Sequence, residues 1–495
     1  MKRAALARDV LLVALTRALA SAVVLATGFR AVSDDDFARV VIAQTWAHTP
    51  KLDPSGTSWL PFPFWLQGAV LAIAGRSLDA ARATSLALGL ASALLVYLAA
   101  RWITRDSRAA LCGAVLAAIF PWSARLGVAT VPELLTAALS LLALASLVPR
   151  DGSSPITSRR LLGGLALLAA TLSRYEPWPV AVGFALLTLA DARRTSADAR
   201  RTSLRTRVHL IAAAALALAG PAAWIAWNRH AHGEALHFLT RVAAYKKALG
   251  AGSDESALTR FFAYPTALVR EEPELFALLA VLFALAWLTH LPALRARLAR
   301  FTRPLLLVLA QIAALSLAMV NDGAPTHHPE RAVFLAMLLA ALIAGDLAAS
   351  LLAAPATRST ALAATAITVL LSALVIRPRI TADESFTARA NEVAVGRVAR
   401  ARTRPGERVL IEVADYGHLA IVAALGRPED AELDRSIDPR DRNTTSSFDA
   451  VHALLARLDR SGSSWAIARP SVVTRQALRD PLQIEGKWAL FEGRP

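Results

Sequence analysis

Three consecutive carboxylates, Asp34, Asp35 and Asp36, follow the first apolar segment of the chain in the stretch SDDDFARVV. Partly buried carboxylates that lie side by side suit general acid–base chemistry, because burial and mutual repulsion tune one of them as a proton acceptor. The same residues also fit the start of a helix, with Ser33 as N-cap, Asp36 as its N3 partner in a capping box, and the other two favourable against the helix dipole. The sequence leaves both interpretations open.

A second group of polar residues interrupts apolar segments further along the chain. Its members are Glu133 in GVATVPELL, Arg174, Tyr175 and Glu176 in TLSRYEPWP, and Arg331 in THHPER. A guanidinium donates two parallel hydrogen bonds to a phosphate, so Arg174 and Arg331 are predicted to hold one. The structural alternatives are an Arg174–Glu176 ion pair and, for Glu133, a first-turn acid after an N1 proline.

Metal binding is the weaker interpretation of THHPER, which contains His327, His328 and Glu330. Adjacent histidines in a loop are not the i, i+4 pair of a helical zinc site, so no metal ligand is predicted and a divalent metal is only an open alternative. Trp59 fits an aromatic belt at a membrane surface, and sugar stacking is its functional alternative.

The elements that must position these residues lie in a membrane. The chain has 495 residues, 55% of them hydrophobic, and a mean hydropathy of +0.44, which excludes an ordinary soluble protein. The net charge is +16. This charge does not indicate nucleic-acid binding, because Lys and Arg cluster between apolar runs, where membrane topology explains them.

The basic clusters predict about eleven transmembrane helices, since placing every cluster on the cytoplasmic side leaves one consistent solution. The spans are roughly 9–28, 83–100, 109–124, 131–148, 161–173, 177–190, 208–227, 274–289, 305–320, 332–352 and 361–376. The N-terminal segment resembles a signal peptide, but its apolar run continues to Gly28, which favours a retained helix. The segment 61–75 is short and is predicted to lie on the membrane surface.

This topology predicts a mainly α polytopic membrane protein with a C-terminal α/β domain. Residues 1–378 form the membrane domain, with outer loops 30–82 and 228–272 carrying surface helices, and residues 379–495 form the extracytoplasmic domain. Three strands are expected there, in RVLIEVADYG, SSWAIARP and KWALFEG. We expect the protein in the inner (plasma) membrane.

The order of the motifs resembles the GT-C fold glycosyltransferases that use lipid-phosphate sugars, particularly the protein mannosyltransferase and aminoarabinose transferase-like group. The likeness covers roughly residues 9–350 and rests on SDDDFAR, SWLPFPFWL with GRSLDAARATSLALGL, FPWSARLGVATVPELL and SRYEP. Members commonly have Asp-Glu in the first loop and a His-Pro-Pro or Lys-Pro-Pro element next. This chain has an Asp run and WLPFP instead.

The resemblance implies a polyprenyl-phosphate sugar as donor, presented from the outer leaflet, and a lipid, glycan or protein hydroxyl as acceptor. Arg174 and Arg331 would hold the phosphate, and Asp35 or a neighbour would take the acceptor's proton in an inverting displacement. Glu133 would orient the acceptor or help to place a metal. A transporter or flippase is the alternative, although transporters usually place coupling charges near the midplane, whereas these charges fall on one side.

Overall fold

The computed structural model describes residues 2–56, 58–149, 157–197, 204–248, 256–291, 294–321, 328–381, 389–438 and 445–493. Its membrane part is a bundle of helices. They are α1 (Lys2–Ala26), α2 (Asp34–His48), α3 (Phe62–Ala74), α4 (Leu78–Thr104), α5 (Ser107–Ile119), α6 (Pro121–Leu126), α7 (Glu133–Ser146), α8 (Thr157–Thr171), α9 (Pro177–Ala197), α10 (Leu204–His232), α11 (His237–Ala248), α12 (Ala257–Glu271), α13 (Pro273–Leu288), α14 (Leu294–Ala299), α15 (Thr302–Val320), α16 (Pro329–Ala332), α17 (Phe334–Ala353) and α18 (Arg358–Thr381).

Each predicted span corresponds to a helix of the bundle. Among the described residues, five helices are long and apolar enough to cross a membrane by length and composition: α1, α4, α10, α15 and α17. Shorter apolar helices occupy other predicted spans, among them α5, α7 and α13. The predicted multi-pass helical membrane fold is confirmed.

Two helices of the first outer loop lie beside the bundle. Helix α3 has 13 residues, too few to span a bilayer, and it packs on α2 through Gly68, where a Cβ would lie 2.5 Å from the Trp46 ring. Helix α2 begins after Ser33, as the capping-box pattern predicted. The capping box is present, and in it the Asp36 carboxylate accepts from the Ser33 amide at 3.3 Å.

Close backbone contact fixes the loop between α6 and α7, which leads into the candidate site. A Cβ at Gly89 in α4 would lie 2.2 Å from the carbonyl oxygen of Gly127. Only glycine at position 89 allows this approach, so α4 and the loop 127–132 are held against one another.

The C-terminal domain is a five-stranded mixed sheet flanked by helices. Its elements are α19 (Ala390–Arg402), β1 (Arg408–Ile411), α20 (His418–Leu425), β2 (Ala431–Leu433), α21 (Val451–Ser461), β3 (Ser463–Ala468), α22 (Val472–Ala477), β4 (Gln483–Glu485) and β5 (Trp488–Glu492), with 3₁₀ turns at Pro428–Asp430 and Ser447–Asp449. The strand order is β2-β1-β3-β5-β4, with β1 parallel to β2 and β3, and β5 antiparallel to its neighbours. Strands β1, β3 and β5 are the three expected from the sequence.

The C-terminal domain packs directly on α2. Phe37, Val40 and Ala43 of α2 share an apolar core with Val393 of α19 and Ala420 of α20. The amide of Gln44 also donates to the carbonyl oxygen of Ala423 at 2.8 Å. Helix α2 is thus held between the membrane bundle and the C-terminal domain.

Candidate active site

The three aspartates face three different parts of the protein. Asp36 is 2% exposed and points into the bundle, where its carboxylate accepts hydrogen bonds from the Thr130 amide at 2.9 Å and the Val32 amide at 3.0 Å. Burial raises the pKa of Asp36 to about 6, although the Thr130 hydrogen bond and the charge of Arg331 act in the opposite direction. Asp36 therefore joins α2 to the loop before α7.

Asp34 points away from the bundle and into the C-terminal domain. Its two carboxylate oxygens accept from Nε and Nη2 of Arg389, each at 2.8 Å. Arg389 also donates to Asp415 at 2.9 Å. The pKa of Arg389 is raised, first by the hydrogen bond to Asp34. This bidentate pair connects the first turn of α2 to the start of α19.

Asp35 is the aspartate that remains accessible. Its side chain is 42% exposed and its carboxylate lies 3.2 Å from Nη1 of Arg331. Arg331 belongs to the short helix α16 and is itself buried. Asp35 thus combines solvent access with a position at the edge of a buried charge cluster.

The centre of that cluster is Glu133, the first residue of α7, which is 1% exposed. One carboxylate oxygen, Oε1, accepts from Arg331 Nε at 2.7 Å and from Arg174 Nη1 at 2.6 Å. The other oxygen, Oε2, has no hydrogen-bond partner in the described part of the chain. Burial lowers the pKa of Arg331, but the charges of Glu133, Asp35 and Asp36 together outweigh it, so the pKa is raised.

Arg174 is also bound to Glu176, as the ion-pair interpretation predicted. Its Nε donates to both carboxylate oxygens of Glu176, each at 3.0 Å. Residues at i and i+2 diverge within a helix, but these two lie in the turn between α8 and α9, where the backbone lets them meet. The pairing does not remove Arg174 from the cluster, because its Nη1 still reaches Glu133.

Arg39 is a member of this neighbourhood that the sequence analysis missed. It lies one helical turn after Asp35 on α2, is 6% exposed, and its guanidinium carbon lies 4.4 Å from the centre of the Trp59 ring. Its charge interacts with Glu133, Asp35, Arg174 and Arg331, and burial lowers its pKa to about 10. No carboxylate among the described residues forms a salt bridge with it. The i, i+4 spacing from Asp35 was the available signal.

Tyr175 lies in an aromatic cluster next to the charge cluster. Its hydroxyl donates to the Ser58 carbonyl oxygen at 2.6 Å and accepts from Trp224 Nε1 at 3.0 Å, and its ring stacks on Phe238 at 4.6 Å. These contacts join the first outer loop to α10 and α11. Trp59 packs on Arg39 rather than standing alone at a membrane surface.

A metal site is the other chemistry that the segment THHPER left open. His327 lies outside the described residues, and His328 pairs with Glu330 at 3.1 Å. Across the described ranges, no three His, Cys, Asp or Glu side chains form a group suited to a metal ion. The carboxylates of the cluster face guanidinium groups, a donor set that does not fit a cation.

Comparison with known proteins shows similarity to one family model and to several solved structures. Residues 54–227 match the family described as dolichyl-phosphate-mannose-protein mannosyltransferase. No curated protein matches the chain in sequence. Among solved structures, ArnT from Cupriavidus metallidurans bound to undecaprenyl phosphate is 13% identical, with a TM-score of 0.63 over 96% of this chain and 97% of ArnT.

This chain has the GT-C glycosyltransferase fold. Apo ArnT from the same organism gives a TM-score of 0.61 at 14% identity, over 96% of this chain and 97% of ArnT. The Archaeoglobus fulgidus oligosaccharyltransferase in complex with Zn and sulfate gives 0.50 at 14% identity, over 92% of this chain and 68% of that protein. The shared fold confirms the predicted GT-C architecture of a multi-pass membrane protein, and the family match over residues 54–227 agrees with the predicted resemblance.

Proposed function

We propose that this GT-C chain transfers a sugar from a polyprenyl-phosphate donor to an acceptor hydroxyl, with Asp35 as the general base. The observation that carries the proposal is the exposed Asp35 carboxylate at the edge of a buried cluster of three guanidinium groups, those of Arg39, Arg174 and Arg331. The donor class is supported by the family match and by the undecaprenyl phosphate bound to ArnT, whose fold this chain shares.

The phosphate would bind between Arg39 and the outer side of Arg331. Arg174 is occupied by Glu133 and Glu176, and Arg331 binds Glu133 through two of its nitrogens. Arg39 has no such carboxylate partner among the described residues. A buried guanidinium whose N–H groups meet no carboxylate is costly, so a phosphate there gains strong charge-assisted hydrogen bonds.

The contact between Asp35 and Arg331 is the one that the donor must open. At 3.2 Å it is longer than the 2.7 Å contact between Arg331 Nε and Glu133, and Asp35 is the exposed partner. A phosphate oxygen that takes over Arg331 Nη1 releases the Asp35 carboxylate. Binding of the donor thereby produces a free base beside the anomeric carbon.

The reaction then needs only one displacement. The acceptor oxygen attacks the anomeric carbon as its proton passes to Asp35, and the bond from that carbon to the phosphate oxygen breaks with its electron pair. The guanidinium groups stabilise the negative charge that develops on the phosphate. A single displacement inverts the anomeric centre. Glu133 acts by holding Arg174 and Arg331 in place.

The side of the membrane follows from the distribution of basic residues. The site, the N-terminus of α4 and the C-terminal domain lie at one end of the bundle, and the basic segments 101–108 and 295–303 lie at the other. By the positive-inside rule, the site faces the extracytoplasmic side of the inner (plasma) membrane. The acceptor is accordingly a lipid, glycan or protein on that side.

A transfer assay with a panel of undecaprenyl-phosphate sugars tests this proposal. Purified protein is mixed with each donor and a membrane extract, and released undecaprenyl phosphate is measured by mass spectrometry. Asp35→Asn should slow release by a factor of about 10²–10⁴, the usual contribution of a general base. Asp459→Asn, which changes an exposed carboxylate of α21, is the matched control.

Two outcomes would contradict the proposal. Full activity in Asp35→Asn would refute the assignment of the base. Movement of the lipid-linked sugar across proteoliposomes, without release of undecaprenyl phosphate from any donor, would favour the transporter.

A further inference from the structure

An excess of positive charge lies where α4 meets α19. Arg82 of α4 and Arg397 and Arg400 of α19 share this region with Asp79. Asp79 forms an ion pair with Arg397 at 2.6 Å. Three guanidinium groups thus share this region with a carboxylate that is already engaged.

The other two arginines form no ion pair among the described residues. Arg82 is partly buried and has no hydrogen-bond or ion-pair partner among the described residues, and its strongest charge interaction is repulsion by Arg397. Arg400 donates at 3.3 Å to the carbonyl oxygen of Arg76, and its pKa is lowered, first by burial and then by the charges of Arg427 and Arg76. Positive charge held out of water without an anion costs free energy.

A cavity of about 390 Å³ opens between the start of α4 and two of these arginines, Arg397 and Arg400. Arg397 and Arg400 line one side, and Ser77, Leu78 and Asp79, at the start of α4, line the other. The amides of the first turn of a helix favour negative charge as well. The cavity therefore offers space and positive charge to an anion of the size of a phosphate group.

We propose that this cavity binds the phosphate group of an anionic lipid headgroup. Helix α4 is one of the helices long and apolar enough to span a membrane, so its first turn, and with it the cavity, lies at the membrane surface. Guanidinium groups bind phosphate through paired hydrogen bonds. The bound headgroup would join α19 to α4 and hold the C-terminal domain against the membrane. This site is separate from the one proposed for sugar transfer and does not depend on it.

The test compares lipid retention in three forms of the full-length protein. Wild type, Arg397→Gln/Arg400→Gln and the control Arg402→Gln, an exposed arginine on the same helix, are purified in mild detergent with phosphatidylglycerol or phosphatidylcholine. Native mass spectrometry measures the bound lipid. Wild type and the control should retain phosphatidylglycerol about tenfold better than the double variant, since losing charge-assisted contacts costs at least one decade in affinity. Retention of phosphatidylcholine should be alike in all three.

Inorganic phosphate, added during thermal unfolding, distinguishes binding of free phosphate from binding of a lipid headgroup. Stabilisation by phosphate together with retention of phosphatidylglycerol supports the headgroup site. Stabilisation by phosphate without that retention would overturn the lipid assignment, and equal phosphatidylglycerol retention in all three proteins would overturn the site itself. If the double variant fails to fold, Arg400→Gln alone provides the same comparison.

Discussion

Replacing Glu133 with Gln should destabilise the protein by about 3 kcal/mol, because it removes the negative charge shared by two buried arginines. Oε1 of Glu133 lies 2.6 Å from Arg174 Nη1 and 2.7 Å from Arg331 Nε, and Glu133 is 1% exposed. Breaking a buried pair typically costs about 3–5 kcal/mol. The lower end of this range is expected because Arg174 still forms an ion pair with Glu176, and Arg331 still forms one with Asp35.

The assay is thermal unfolding in detergent. An unfolding entropy of about 2.1 cal/mol/K per residue over the whole chain converts 3 kcal/mol into a fall of about 3 °C in Tm. The double variant Glu133→Gln/Arg331→Met removes the charges of both partners of this ion pair. Its loss in free energy of unfolding should therefore be smaller than the sum of the losses in the two single variants, by about 1–3 kcal/mol. An unchanged Tm in Glu133→Gln, or strictly additive losses, would refute the buried network.

Two further predictions concern the aspartates on either side of Asp35. Arg389→Gln should lower kcat for transfer several-fold without changing the affinity for undecaprenyl phosphate, because it removes the contact between the first turn of α2 and the C-terminal domain. Arg389→Lys should restore part of the rate. Equal kinetics in wild type and both variants would contradict this role. Asp36, whose folded-state pKa is raised to about 6, should stabilise the protein fully below about pH 4 and lose that contribution, about 3 kcal/mol, as the pH rises through 6. Unfolding followed from pH 4 to 7 should show this fall in wild type and a flatter profile in Asp36→Asn, and matching profiles would contradict it.

The sequence predicted the membrane helices well because their signals are local and strong. Long apolar runs and the basic clusters between them indicate where helices lie, and the shortness of segment 61–75 sets it apart as helix α3 beside the bundle. Strands β1, β3 and β5 were predicted for the same reason, since each is an apolar run. Strands β2 and β4, with sequences AEL and QIE, were missed because three residues of mixed polarity become strands only by pairing with β1 and β5.

The candidate site was predicted less completely, because its geometry depends on contacts between distant parts of the chain. Arg331 contacts Glu133 from 198 residues away, and Arg389 contacts Asp34 from 355 residues away. No local pattern shows such pairs. The three aspartates illustrate this limit: their order along the chain is obvious, but only the packing of α2 between two bodies shows that Asp34, Asp35 and Asp36 have different partners.

The most direct test of phosphate binding by the guanidinium cluster is native mass spectrometry of the purified protein with undecaprenyl phosphate. This measurement requires neither the sugar nor the acceptor to be known. Wild type should retain this lipid and Arg39→Gln should lose at least about 90% of it, because the Arg39 guanidinium has no carboxylate partner among the described residues. Arg402→Gln, on the exposed surface of α19, should retain it like wild type. Equal retention by wild type and Arg39→Gln, or no retention by wild type, would contradict the proposed polyprenyl-phosphate site.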